Sequence, residues 1–328
     1  MKTADIFNKN IIENNLVQNG DKVIIAVSGG ADSVSLLHLF WMLSKKIKIS
    51  LMIAHFDHSL RKESEKEKKL VQLLSERFNI KMLFKKLPVK EYAKKNSISI
   101  ETAGRQLRYE ALSESAKKYR FNKIATAHNA NDNAETVLMW LLRGSGNFAG
   151  IPQRRPLAKG IDIIRPLLAV KRKLIDEYIK KQKLPFCTDK SNFDDKYTRN
   201  KIRHTLIPEL EKINNKTIEH ISALSLIQSL EDAYMDSICK KLVKKCVKKR
   251  SKEIILDLNE FLGYNAAHCQ RIIREILPEK KNNFQINLLI KKIFSLDKTP
   301  YILSKDWIFK LNGKTAVFKK QNGQKRRL

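Results

Sequence analysis

The six residues Ser28-Gly29-Gly30-Ala31-Asp32-Ser33 are the part of this 328-residue chain best suited to holding a phosphate. They follow an apolar run, Val23 to Val27, that is mostly β-branched and reads as a buried strand. The two glycines permit a tight turn in which backbone N–H groups can approach a ligand. An apolar, helix-periodic segment begins at Asp32 and Ser33. The turn therefore opens onto a helix N-terminus, where unpaired N–H groups and the positive dipole end favour an anion. No lysine follows as a Walker loop requires, and the dinucleotide spacing G-x-G-x-x-G is absent. The plainer use of the same residues is a strand-to-helix turn with Asp32 or Ser33 as N-cap.

Four more clusters carry chemistry. HFDHSLR (55–61) sets two histidines, an aspartate and an arginine after a second strand-like run. It could position a nucleotide or its metal, or it could be a capped surface loop. In ETAGRQLRYEAL (101–112), Glu101 and Arg105 are four apart and Arg108 lies one turn further on. The two arginines share a helix face and offer fork-shaped donors to phosphate or carboxylate. The alternative is an i,i+4 surface ion pair worth about 0.3–0.5 kcal/mol. TAHNANDNAETVLMWLLRGSG (126–146) puts Asp132 and Glu135 on one face at a helix start, which is also a capping-box spacing. DKSNFDDKYTRNKIRHTLIP (189–208) brings Arg199 and Arg203 onto one face, as an anion clamp or a structural ion-pair network.

The elements that must position these residues alternate. Strand-like runs near 23–27, 49–54, 80–84 and 123–127 are separated by helical patterns at 33–45, 63–78 and 102–119, and another helix follows at 132–143. Such alternation implies an α/β fold with a parallel sheet and helices on both faces. In such sheets ligands bind beyond the carboxyl ends of the strands, where the clusters after the first, second and fourth runs would lie. A glycine- and proline-containing loop is expected at 144–156, including Arg154 and Arg155, then helices at 170–182 and about 199–211. The domain boundary is expected near 212–218, giving domains 1–213 and 214–328. KKLVKKCVKKR (240–250) reads as an amphipathic helix whose cationic face, with Lys244 and Lys248, grips polyanions or is simply solvated. Residues 301–320 read as a β-hairpin about Asn312-Gly313, followed by a basic tail.

Composition narrows the partners. Lys plus Arg number 65 against 34 acidic residues, a net charge of +31, which suits nucleic acid. The four cysteines form no C-x-x-C, which argues for reduced thiols in a cytoplasmic protein without a zinc or iron–sulfur site. The N-terminus has no signal-peptide core, and no run reaches membrane-span length.

S-G-G-x-D-S resembles the pyrophosphate loop of the PP-loop ATP pyrophosphatases, which cleave ATP between the α- and β-phosphates. SGGADS, HFDHSLR, E-x-A-x-R-x-x-R-Y, the AH…ND-x-x-ET…RGSG block and SN…Y-x-RN-x-IR occur here in that order. Together, over about residues 20–210, they resemble the tRNA(Ile)-lysidine synthetases. The last third resembles that family only loosely, as a small basic domain without the longest C-terminal extensions of some members. Where the family often has AHHxDD, this chain has Asn129 and Asn131 in place of the second histidine and first aspartate.

The resemblance implies a doubly wound, mostly parallel sheet of the adenine nucleotide alpha hydrolase-like kind, with a second, smaller basic α+β domain. It implies a ligase forming a C–N bond. ATP adenylates the wobble cytidine of an isoleucine tRNA with anticodon CAU, and free L-lysine then displaces AMP to give lysidine. On that footing Ser28, Gly29, Gly30, Ala31, Asp32, Ser33 and His55 would bind ATP, with Asp32 holding Mg²⁺. Arg105 would face the α-phosphate, and Asp132 and Glu135 would hold lysine and help deprotonate it. Arg108, Arg199, Arg203, Lys244 and Lys248 would contact tRNA, and a homodimer is compatible with all of this. The rival readings are a 2-thiolation enzyme, an amidating ligase, or a non-enzymatic RNA-binding protein on the same fold.

Overall fold

A computed structural model describes residues 2–57, 64–144, 148–187, 198–279 and 282–321. Parts of three expected motifs lie outside these residues: 58–61 of HFDHSLR, Ser145-Gly146 of RGSG, and 188–197. The basic tail from residue 322 does too. The chain forms two compact units, Met1–Leu226 and Ile227–Leu328. Sequence reading set the division at 213/214. The structural division falls instead within one helix, α10 (Thr217–Cys246).

The first unit is built on a six-stranded sheet of order β3-β2-β1-β4-β6-β5. Its strands are β1 (Lys22–Ala26), β2 (Ser50–Asp57), β3 (Met82–Lys86), β4 (Lys123–Ala125), β5 (Arg154–Ala158) and β6 (Ile161–Ile164). All neighbours pair in parallel except β5, which runs antiparallel to β6. Strand alternation assigns the faces. Val23 and Ile25 pack with α1 (Thr3–Glu13), α2 (Ala31–Ser44), α3 (Ser64–Phe78) and α7 (Arg172–Lys181). Ile24 faces the other way, towards Tyr109, Leu112 and Ala116 of α5 (Ile100–Tyr119). Helices thus cover both faces, as the alternating sequence pattern requires.

Several elements went unread in the sequence. In this unit they include α1, α4 (Val89–Asn96) and the two strands of the β5–β6 hairpin, which occupies part of the expected loop at 144–156. The hairpin carries Arg, Pro and Lys and is short, so its period-2 signal is weak. Pro156 is accommodated because β5 is the sheet's edge.

Strand order reverses between β1 and β4, so the loops after these two strands part and leave a crevice at their carboxyl ends. The β1 loop leads into α2. The β4 loop leads into α6 (Ala130–Leu142).

The second unit is an antiparallel sheet of order β7-β8-β11-β10-β9, ending on β9 (Tyr301–Ile302), with helices α11 (Leu258–Phe261), α12 (Ala266–Ile276) and α13 (Asn283–Phe294). Its core joins Leu256, Phe309 and Phe318 to Ile272, Ile273, Ile276, Ile286 and Leu289. The expected hairpin is present as β10 (Trp307–Asn312) and β11 (Thr315–Lys320). The expected helix at 240–250 is only half right. α10 ends at Cys246, and Val247–Arg250 form β7, antiparallel to β8 (Glu253–Asp257). Lys244 is on the helix and Lys248 is on the strand, so they share no helical face. The alternating β8 sequence offers a pairing edge that outweighs helix propensity beyond Cys246. No helix among the described residues is long and apolar enough to cross a membrane.

Candidate active site

The crevice between β1 and β4 opens as a cavity of about 700 Å³ whose walls include Ser28, Asp32, Arg105, Arg108, His128 and Asp132. Gly29 sits at φ +96°, a backbone region that strains any L side chain. α2 starts from Gly30 with no side-chain cap, so neither Asp32 nor Ser33 is the N-cap. The Ser33 hydroxyl donates to Gly30 O at 2.9 Å and accepts the Ser28 N–H at 3.2 Å. The Gly30 N–H in turn reaches Ser28 Oγ at 3.4 Å. The two serines brace the turn from within, and the first N–H groups of α2 point out of the helix without intrahelical acceptors. The Cys187 N–H ties down Gly29 O at 2.9 Å.

Asp32 accepts from Arg172 Nη1 at 2.6 Å and from Asn129 Nδ2 at 3.1 Å. Burial lifts its carboxyl to about 6, with Arg172 pulling down and Asp132 pushing up. The loop's acid thus sits near a second acid and is paired with one cation. Asn129 and Asn131, the two departures from the family pattern, both have work here. Asn129 caps α6, forming a capping box with Asp132, and reaches Asp32. Asn131 Oδ1 accepts the backbone N–H of Arg172 at 2.9 Å and so seats that arginine. Capping is therefore done by Asn129 and Asp132, not by the D-x-x-E spacing, which leaves Glu135 one turn further along.

Glu135 is wholly buried. It accepts Nε of Arg199 and Nε of Arg203, each at 2.6 Å. Both arginines also reach Asp132 Oδ1, at 2.9 and 3.3 Å. The four residues form a two-by-two network across the cavity wall, joining α6 to α8 (Thr198–Lys201) and to the π-helical turn Ile202–Leu206. Arg199 and Arg203, expected at the RNA, line the cavity and pair with Asp132 and Glu135. Glu135 and Asp132 hold Arg203 above its usual value, outweighing burial.

His55 does not line the cavity. It is 1% exposed, its Nδ1 lies 2.8 Å from Val27 O, and its ring stacks on Phe84. Burial pushes its imidazole below the ordinary range. The neutral ring donates to Val27 O, and this side chain supports the strand end rather than the ligand. A β2 residue next to Phe56 could have faced either way, and the pleat decided it.

Arg105 and Arg108 do face the cavity. The Glu101–Arg105 ion pair does not form. Both guanidiniums instead lie over the Tyr109 ring, at 5.2 and 5.7 Å from its centroid. His128 is pushed down to about 3, first by burial and then by Arg165, Arg108, Arg105 and Arg199, so it stays neutral at physiological pH. Sequence reading missed Arg172 and Arg165. Neither lies in a motif: Arg172 reaches Asp32 from α7, and Arg165, just after β6, acts on His128.

Residues 2–210 match the PP-loop domain family. The chain belongs to that family. Among sequences, the PP-loop chain is 48% identical over 208 residues to the tRNA(Ile)-lysidine synthase of Thermosipho africanus, covering 63% of this chain and 48% of that protein. It is 35% identical over 294 residues to the tRNA(Ile)-lysidine synthase of Clostridium acetobutylicum, covering 89% of this chain and 63% of that one. The chain thus spans less than two thirds of either relative. Among solved structures, the U34-tRNA thiolase NcsA from Methanococcus maripaludis superposes with a TM-score of 0.58 at 17% identity. That match covers 68% of this chain and 76% of the thiolase, and it speaks to the fold alone.

Proposed function

We propose that this PP-loop protein joins L-lysine to C2 of the wobble cytidine of an isoleucine tRNA with anticodon CAU, using ATP, in the cytoplasm. The carrying observation is that one cavity unites the serine–glycine loop and Asp32 with Asp132 and a pair of unneutralised arginines. The relatives named above support the same reading.

The chemistry balances in two steps. The cytidine O2 attacks the α-phosphorus and pyrophosphate leaves. The lysine ε-nitrogen then attacks C2, and AMP departs carrying that oxygen. N–H groups at the start of α2 and the serine hydroxyls receive the phosphates. Arg105 and Arg108 meet the charge that develops on the α-phosphate. The ε-ammonium has a reference pKa of about 10.4 and must lose a proton before attack. Asp132 would bind it at the cavity wall, and buried Glu135 would hold Asp132 and the two arginines in register.

Asp32 suits Mg²⁺, an ion that takes one or two carboxylates and otherwise phosphate oxygens and water. Its carboxyl lines the cavity and is disfavoured as a bare anion by burial. When bound, the ion would neutralise phosphate charge. A thiolation enzyme is less well served, since Cys187 is the one cysteine among the described residues on the cavity wall.

The test is incorporation of labelled lysine into a CAU-anticodon isoleucine tRNA transcript, with a methionine tRNA control. ATP-dependent labelling of the isoleucine tRNA with matching AMP release is the expected result. Asp132→Asn should raise the KM for lysine about tenfold or more while leaving ATP affinity within about twofold, as loss of a charge-assisted contact implies. Equal damage to both ligands would remove Asp132 from the lysine site. AMP release without lysine incorporation would redirect the chemistry to another nucleophile.

A further inference from the structure

Four arginines crowd one phenol. Arg105, Arg108 and Arg155 place their guanidinium carbons 5.2, 5.7 and 5.0 Å from the centroid of the Tyr109 ring. Arg165, 2% exposed, is close enough to act on the phenol's charge. Other arginines at this end of the sheet are matched by acids: Arg172 by Asp32 and Asp176, Arg199 and Arg203 by Asp132 and Glu135, Arg154 by Asp162. Among the described residues, no carboxylate pairs with Arg105, Arg108, Arg155 or Arg165.

Gathering unpaired cations costs energy through mutual repulsion, and an aromatic face offsets only part of it. An incoming anion would offset the rest. The ring is well anchored for the task. Its body is buried among Ile24, Leu112, Ile124 and Ile163, while the guanidiniums approach it from three chain segments. The Tyr109 hydroxyl and Arg165 Nε are both buried, and the Tyr109 and Arg165 side chains act directly on one another.

We propose that Tyr109 is a positioning residue whose buried ring aims Arg105 and Arg108 as receptors for a phosphate group, with Arg155 as a third guanidinium on the same platform. The phosphate comes either from the nucleotide or from the RNA backbone beside the reacting base. This rests on the reading of the cavity as a nucleotide and RNA site. It adds a second anion receptor to that cavity, apart from the serine–glycine loop.

The experiment uses the full chain and three variants: Tyr109→Phe, Tyr109→Leu and Arg155→Gln. Each is titrated with ATP and, separately, with the CAU-anticodon tRNA transcript, and each is melted. Tyr109→Phe keeps the ring and should match wild type within about twofold in both affinities. Tyr109→Leu should lose about tenfold in affinity for one of the two ligands while still melting cooperatively. Arg155→Gln should weaken the same ligand by about threefold. Loss confined to ATP makes the phosphate the nucleotide's. Loss confined to tRNA, with a salt slope smaller by about one, makes it a backbone phosphate. Adding Tyr109→Leu to Arg105→Ala should cost less than Tyr109→Leu costs in the wild-type chain, because the ring acts in part through that arginine.

Wild-type affinity for both ligands in folded Tyr109→Leu overturns the proposal. So does a loss of both ligands that tracks a loss of fold in Tyr109→Leu while Arg155→Gln binds normally. Should Tyr109→Leu not fold, Arg155→Gln decides by itself, and unchanged affinities overturn the proposal. No readout needs lysine transfer. A wild type that binds both ligands and forms no lysidine therefore sinks the proposed function and leaves the platform standing.

Discussion

Asp32 carries a carboxyl that burial lifts from 3.8 to about 6, against the pull of Arg172. Its folded pKa lies above the unfolded one, so the folded chain holds this proton more tightly. Stability contributed by the group is therefore fully present below about pH 4 and is lost as pH rises through about 6. Under the proposed function the dependence runs the other way, because a carboxylate would be needed to hold a cation beside the phosphates. ATP–Mg²⁺ affinity should rise through a one-proton step near pH 6 and flatten above it. Asp32→Asn should abolish the step and weaken binding at every pH. Calorimetric ATP titrations across about pH 5 to 8 check this, and a step that survives in Asp32→Asn would assign it to another group. Asp32, Asp132 and Glu135 were legible in the sequence because acids at helix starts stand out by type and spacing. Arg172 was not legible, because it reaches Asp32 across 140 residues of separation.

At the scale of elements, the site depends on two loop-to-helix joints, into α2 and into α6, and on the chain that returns beneath α6. Gly150, at φ +63°, is part of that return. A Cβ built there would lie 2.2 Å from Asn133 Oδ1, which already accepts the Ile151 N–H at 2.7 Å. Gly144, at φ +61°, has nothing within 4 Å of the same position. Both glycines meet the same backbone objection to a side chain, so the pair isolates the steric one. Gly144→Ala should cost about 1 kcal/mol, and Gly150→Ala about 3 kcal/mol, as strain plus overpacking. Urea midpoints measure the difference, and equal losses would show that Asn133 can move aside. The return was invisible in the sequence, where 144–156 reads only as a loop. The break of α10 into β7 was hidden for a related reason. KKLVKKCVKKR satisfies a helical period throughout, and only pairing with β8 selects the strand for its last four residues.

Over the whole molecule the charge is +31, and Asp32, Asp132 and Glu135 at the crevice are already matched by arginines. The remaining excess of lysine and arginine is available to RNA phosphates, each contact releasing condensed counterions. Binding of a tRNA transcript should fall by about 10³-fold or more between about 50 and 200 mM salt, as six or more phosphate contacts imply. Filter binding over that range is the check, and a shallow slope would limit the charge to solubility. The exposed Lys244 and Lys248 belong to this distributed field, on different elements, rather than to one cationic stripe.

By itself the sequence determined the alternating α/β plan, the serine–glycine turn after the first strand, the acidic pair opening α6 and the cationic balance. These follow from local periodicity, glycine placement and composition, which need no knowledge of distant contacts. Tertiary structure alone decided which charges meet. It set Arg199 and Arg203 on Asp132 and Glu135, set Arg172 on Asp32, turned His55 into the sheet, and gathered Arg105, Arg108, Arg155 and Arg165 about Tyr109. Partners of a charge are chosen by packing of elements far apart in the chain, and buried charges must find such partners or a ligand.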